Sequence, residues 1–180
     1  MEELRLAEIN AVADLGPSFV EVRGQIVIRH ARRLSDYLNH PDPMLELDGG
    51  AIRQESDDFW EEVQGLSLNR NRVLIVSPTA DADPGPDPKL VVSSRQVRIK
   101  ILCRGVSVVG FVTVPMQATI SSFIHETRAR FLNVSQARLF PTHSSFRTQL
   151  GPALDFCMVN REYIVACVET RPGIGAAGEQ

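Results

Sequence analysis

The chain has 180 residues, 43% hydrophobic and 23% charged, which is typical of a globular protein with a sizeable core. It has no apolar run as long as a membrane span, and its acidic start differs from a secretory signal. Cys103, Cys157 and Cys167 form no CxxC pair, which favours buried free thiols and a cytoplasmic location.

The net charge of −3 conceals a split between the two halves of the chain. Residues 1–90 hold 17 acidic and 9 basic residues, a balance of −8, whereas residues 91–180 hold 5 and 10, a balance of +5. Surfaces of opposite charge attract within a chain or between subunits. The split predicts self-association in which the acidic half of one molecule meets the basic half of another, near exposed strand edges.

The first half of the chain begins with apolar residues at helical spacing over 3–15, which predict an amphipathic helix ended by Gly16-Pro17. Alternation over 19–28 predicts a strand with a bulge or sharp bend at Gly24. The other elements predicted before residue 77 are a helical turn over 32–39, strands over 44–48 and 51–54 around a Gly49-Gly50 turn, an acidic helix over 57–64 that carries Trp60, and a strand over 73–76.

Residues 78–94 predict a linker, because four prolines within 78–88 can neither pack nor sustain a strand ladder. The elements predicted after it are strands over 97–103 and 107–114, a helix over 118–128, strands over 131–134 and 156–168, and a disordered tail over 171–180. The predicted domains are therefore an N-terminal helix with a first β unit (1–77), the linker (78–94), a second β unit (95–170) and the tail.

The two units align as a diverged internal repeat, in which Gly24 falls on Gly110 and Asn69-Arg70 falls on Asn160-Arg161. The first copy lacks a counterpart of the opening 97–103 strand in this alignment. The aligned apolar positions predict a core of Ile26, Ile28, Leu34, Leu38, Leu45, Leu47 and Val73, with Val112, Val114, Ile120, Ile124, Leu132, Val134 and Ile164.

The run Val97-x-Ile99-x-Ile101, followed by Gly105 and Gly110, resembles the first motif of Sm-like and Hfq-like proteins. The run MVNREYIV, residues 158–165, resembles their second motif. The resemblance implies a mainly β (α+β) fold of two tandem small β-barrel-like units, each with a short helical insert. Gly105 lies one residue later, relative to the strand, than the glycine of the family motif, and the helical insert over 118–128 also departs from the family pattern. The RLSDYLN box at 33–39 is similar to one in uncharacterised bacterial proteins and implies no activity.

The repeated pairs Asn69-Arg70 and Asn160-Arg161 are the candidate contacts with nucleic acid or a protein partner. The matching loop of Sm-like proteins contacts RNA, and these side chains can pair with phosphates and base edges. In the alternative interpretation, the asparagine supplies a left-handed turn and the arginine faces solvent. The alternative is favoured, because few basic residues surround either pair and an acidic chain repels phosphate.

No other cluster predicts chemistry. Ser121, Ser122 and His125 lie at helical spacing, but no carboxylate is placed to orient the imidazole. The acids Asp57, Asp58, Glu61 and Glu62 lack the glycine-centred loop of a calcium site. We therefore predict no catalytic residue, metal or cofactor. The expected function is a non-enzymatic scaffold or adaptor that binds a protein partner or itself without a membrane, with RNA or single-stranded nucleic-acid binding as the alternative.

Overall fold

The computed structural model describes residues 5–28, 33–54, 57, 59–79, 93–143, 146, 148 and 150–170. The strands are β1 Arg5–Asp14, β2 Phe19–Ile28, β3 Met44–Gln54, β4 Glu61–Asn69, β5 Val73–Pro78, β6 Ser94–Cys103, β7 Val106–Pro115, β8 Phe131–Pro141, β9 Ala153–Asn160 and β10 Ile164–Glu169. The helices are α1 Leu34–Leu38 and α2 Ile120–Glu126, and 3-10 turns span Arg70–Arg72 and Arg161–Tyr163. Among the residues described, no helix has the length and apolar character needed to cross a bilayer.

All ten strands belong to one antiparallel sheet with the order β10-β6-β7-β8-β9-β5-β1-β2-β3-β4. The prediction of two tandem β-barrel-like units behind an N-terminal helix is therefore wrong. A five-stranded unit would close only if its fourth strand paired with its fifth. Instead β9 pairs with β5 of the other half, and β4 pairs only with β3 in the described chain. The sheet consequently stays open.

The predicted N-terminal helix is also wrong, because residues 5–14 form β1. Ala7, Ile9, Ala11 and Ala13 alternate onto a buried face, which is the period of a strand. β1 lies inside the sheet, pairing with β2 along its whole length and with β5 on its other side. These pairings override the helical spacing, and they give the first half the opening strand that the sequence alignment lacked.

Other predicted boundaries also differ from the structure, and β8 extends to Pro141 beyond the predicted 131–134. β3 runs unbroken through Gly49 and Gly50, because these glycines form a register shift opposite Gly24 and not a turn. The acidic segment with Trp60 leads into β4 instead of a helix. The single strand predicted over 156–168 is divided by the second 3-10 turn into β9 and β10. Most of the predicted linker and all of the predicted tail lie outside the described residues.

The two halves share one strand order, since the fifth strand pairs with the first in β5-β1-β2-β3-β4 and again in β10-β6-β7-β8-β9. Gly24 and Gly110 hold the same place in this order. A Cβ on Gly24 would lie 2.8 Å from Leu47 Cδ2, and one on Gly110 would lie 2.6 Å from Val134 Cγ1. Both glycines therefore let the second strand of the half cross closely over the third.

Each half has its own core, and the two cores lie on opposite faces of the sheet where the halves meet. Ile75 opposes Val159, and both pack in the core of the second half. The next pair, Val76 and Met158, packs in the core of the first half. Successive residues of a strand point to opposite faces, so each half packs part of its edge into the core of the other. Of the predicted core residues, Ile124 and Ile164 are half-buried and the others are buried.

Candidate interaction site at the seam and the free edges

The pairing of β5 with β9, called the seam below, joins the two halves, and Asn160 lies at its end. The Asn160 side chain is fully buried. Its Oδ1 accepts a hydrogen bond from Glu162 N at 3.0 Å and so caps the second 3-10 turn. Its Nδ2 donates to the carbonyl oxygens of Arg70, at 3.2 Å, and Val73, at 2.8 Å. One amide thus caps the 3-10 turn of its own half and forms two hydrogen bonds to the other half.

Asn69 holds the equivalent place at the end of β4 but lies on the surface. Its Oδ1 accepts from Asn71 N at 2.9 Å and caps the first 3-10 turn. Within the described chain, its Nδ2 group meets no acceptor. Both asparagines have extended backbone, with φ of −71° at Asn69 and −69° at Asn160, so the predicted left-handed turn is wrong. Their shared role is to cap the turn.

Arg70 is buried at 1% exposure, so the interpretation that it faces solvent is also wrong. Its Nη1 donates to His40 O at 2.9 Å, and its guanidinium lies 5.0 Å from the Tyr37 ring centre. Burial lowers the pKa of Arg70, while the charges of Tyr37 and Asp42 oppose that shift. The side chain therefore connects the first 3-10 turn to the loop that follows α1 through a hydrogen bond.

Arg161 repeats this arrangement in the second half. It is half-buried, and its Nη1 donates to Ile124 O at 3.3 Å and to Thr127 O, at the end of α2. Its backbone N–H donates to Arg130 O at 2.7 Å, as that of Arg70 does to Pro43 O at 2.8 Å. A phosphate would have to compete with these carbonyls for either guanidinium. The nucleic-acid contact of the two Asn-Arg pairs stays a prediction.

Two further contacts between the halves have no signal in the sequence. The Asn39 side chain follows α1, accepts from Phe131 N at 2.8 Å and donates weakly to Phe131 O at 3.5 Å. Arg104 Nη1 lies 3.2 Å from Asp14 Oδ1 and 3.3 Å from Oδ2. These partners are about ninety residues apart, so no local pattern could pair them.

Among the described strands, β4 and β10 form the two free edges of the sheet, and apolar side chains are exposed near β10. Val165 is 79% exposed and Leu102 is 37% exposed. Val165 aligns with Leu74, which is buried in the core of the second half. Ile9 opposes Gly24 and Ile99 opposes Gly110, so these two isoleucines are equivalent positions of the two halves. Leu102, three residues after Ile99, therefore corresponds to Val12, three residues after Ile9, and Val12 is buried. The side chains that the seam buries thus have exposed counterparts at the free edge.

A cleft and three cysteine thiols are the features of the described chain to consider for catalysis or metal binding. A cleft of about 770 Å³ between the halves is lined by phenylalanines and by polar side chains of mixed charge. No group of three His, Cys, Asp or Glu residues is placed to hold a metal in the described ranges. Burial raises the pKa of Cys103 and Cys157 to about 12 and that of Cys167 to about 11. All three are therefore neutral thiols, which are poor nucleophiles.

Comparisons with protein-family models, curated proteins and solved structures find no match to this chain. The resemblance to Sm-like proteins therefore stays a prediction. The geometry of the seam and of the two free edges is what bears on function.

Proposed function

We propose that this protein is a non-enzymatic assembly module in which β4 of one molecule pairs with β10 of the next. The seam supports this proposal, because there β9, the fourth strand of the second half, pairs with β5, the fifth strand of the first half. The same kinds of strand, fourth and fifth, are left unpaired at the two ends of the sheet. Such a heterologous contact closes into a ring or continues as a filament. A cytoplasmic location, expected from the cysteines, belongs to this proposal.

The seam also supplies a register. It sets Ile75 opposite Val159 and Val76 opposite Met158. In the alignment of the two halves, the corresponding pairs between molecules are Ala166 opposite Leu68 of the next molecule and Cys167 opposite its Ser67. The faces agree, since Leu68 packs on the first core and Cys167 on the second. The copied ladder thus places Leu68 and Cys167 toward the cores that they already contact.

Apolar burial supports the same contact. Copying the seam would bury Val165 and Leu102 against the first core of the next molecule. Full burial of an exposed apolar side chain is worth about 1.5–3 kcal/mol, and Leu102 contributes only a fraction of this because it is already mostly buried. The β4 edge contributes less apolar burial, because Ser67 occupies the position that the buried Met158 occupies in the seam. We therefore expect a reversible association that is weaker than the internal seam.

Ser67→Cys tests this register, because its thiol would face the natural Cys167 of the neighbouring molecule. Directly opposed residues on paired antiparallel strands have Cα atoms about 4.5–5.5 Å apart. A disulfide requires a Cα separation of about 4.4–6.8 Å. Mild oxidation at alkaline pH should therefore give covalent dimers and longer chains on a non-reducing gel.

Two controls accompany the cross-link. Ser67→Cys with Cys167→Ser should stay monomeric on the gel, and Glu62→Cys, elsewhere on β4, should cross-link poorly to Cys167. Light scattering on the unmodified protein should show species that grow with concentration. They should shrink as salt rises, because exposed charges are screened over about 8 Å at physiological ionic strength. A monomer at every concentration and salt level would refute self-assembly.

A second candidate, nucleic-acid binding, is favoured by the surface of the second half. β6, β7 and β8 contain no acidic residue, and Arg98, Lys100 and Arg138 are exposed on them. Such a basic face can follow a phosphate backbone. Fluorescence anisotropy with a labelled oligouridine tests this candidate. Binding that falls steeply with salt and is lost in Arg98→Glu/Lys100→Glu would support it, whereas no binding at physiological salt would exclude it.

A further inference from the structure

We infer that Asn69 sets the register of the assembly, by donating from its Nδ2 to the carbonyl oxygens of Arg161 and Ile164 in the next molecule. This inference rests on the proposed strand pairing and names the side chain that specifies it. Its basis is the contact that Asn160 makes across the internal seam, which Asn69 would repeat between molecules.

The two asparagines match in their place in the half, their backbone conformation and their cap. Each ends the fourth strand of its half, has extended backbone, and caps the 3-10 turn through Oδ1. They differ only in what lies beyond the edge. Asn160 meets the first residues of the other half's 3-10 turn and fifth strand, Arg70 and Val73. Asn69 is exposed at an outer edge of the described sheet.

The two proposed acceptors are the counterparts of Arg70 and Val73. Arg161 begins the second 3-10 turn and Ile164 begins β10. Arg161 O already accepts from Ile164 N, as Arg70 O does from Val73 N while it also accepts from Asn160. A carbonyl oxygen has two lone pairs, so Arg161 O has room for a second donor of the same kind.

The position requires an acceptor for the cap and donors for the neighbouring strand, and an amide provides both on one short side chain. Aspartate would keep the acceptor but would place a second oxygen against two carbonyl oxygens. Serine would keep the cap and remove the amide donors without adding charge. These substitutions therefore distinguish the loss of the Nδ2 hydrogen bonds to the next molecule from the loss of the cap.

The experiment compares Asn69→Asp and Asn69→Ser with Asn71→Asp, which makes the same charge change at an exposed position two residues away. Sedimentation equilibrium gives the association constant, and urea unfolding at high dilution gives the stability of the monomer. We expect both Asn69 variants to weaken association about tenfold or more, from two lost hydrogen bonds, with little change in the urea midpoint. Asn71→Asp should leave both quantities nearly unchanged.

Asn160→Asp completes the set, because the same change at the internal seam should lower the urea midpoint of the monomer. Equal weakening by Asn69→Asp and Asn71→Asp, with none by Asn69→Ser, would reduce the effect to charge and overturn the inference. Unchanged Ser67→Cys cross-linking in an Asn69→Ser background would also overturn it, while leaving the proposed assembly intact. Failure of that cross-link with Asn69 present would instead refute the proposed assembly.

Discussion

Replacing Asn160 by alanine should destabilise the monomer much more than the same change at Asn69. Asn160→Ala removes three hydrogen bonds, of which the two that cross the seam are buried and the cap bond is partly buried. At about 1 kcal/mol each, the expected loss is about 3 kcal/mol. Asn69→Ala removes one exposed cap, whose loss costs about 1 kcal/mol or less. The difference of about 2 kcal/mol measures the contribution of the seam contact.

Urea unfolding followed by circular dichroism, at a concentration low enough to keep the chain monomeric, measures both losses. In a thermal scan, a loss of about 3 kcal/mol corresponds to a melting temperature lower by roughly 6–12 °C for a chain of this size. Similar losses for the two variants would show that the Asn160 amide does not stabilise the seam. The copied contact at Asn69 would then lose its physical basis.

Three further results follow from the core, the glycines and the thiols. Leu38→Ala, at a buried site, should cost about 2–5 kcal/mol in urea unfolding, and Ile124→Ala should cost less because its side chain is only half-buried. Gly24→Ala and Gly110→Ala should destabilise strongly, whereas Gly65→Ala, whose new Cβ would come no closer than 3.9 Å to a neighbour, should not. Stability should fall as pH rises from about 9, the ordinary pKa of a cysteine thiol, toward 11–12, because the folded thiols of Cys103, Cys157 and Cys167 stay protonated after those of the unfolded chain have ionised. A thiol reagent should label the half-buried Cys167 first, and labelling of Cys157 before Cys167 would contradict its burial.

The sequence by itself determined features that depend on neighbours along the chain. Alternating apolar residues located β2 and β7, and helical spacing located α1 and α2 within a few residues. The aligned apolar positions identified most of the core correctly. Gly24 was predicted as a bulge or sharp bend, and a register shift does lie at this position, with the extra residue, Gly49, on the partner strand β3. A missing side chain marks a close approach of backbone wherever the partner strand lies.

Only the tertiary structure decided the strand pairing, and with it the candidate site. Residues 5–14 have spacing compatible with a helix, and they form a strand because β2 and β5 supply hydrogen-bond partners on both sides. The burial of Arg70 depends on the loop after α1, thirty residues away. The seam depends on Asn160 reaching a carbonyl ninety residues earlier in the chain. A local pattern shows which face of a strand is apolar, but not which edge it joins, so the sheet order and its two free edges appear only in the folded chain.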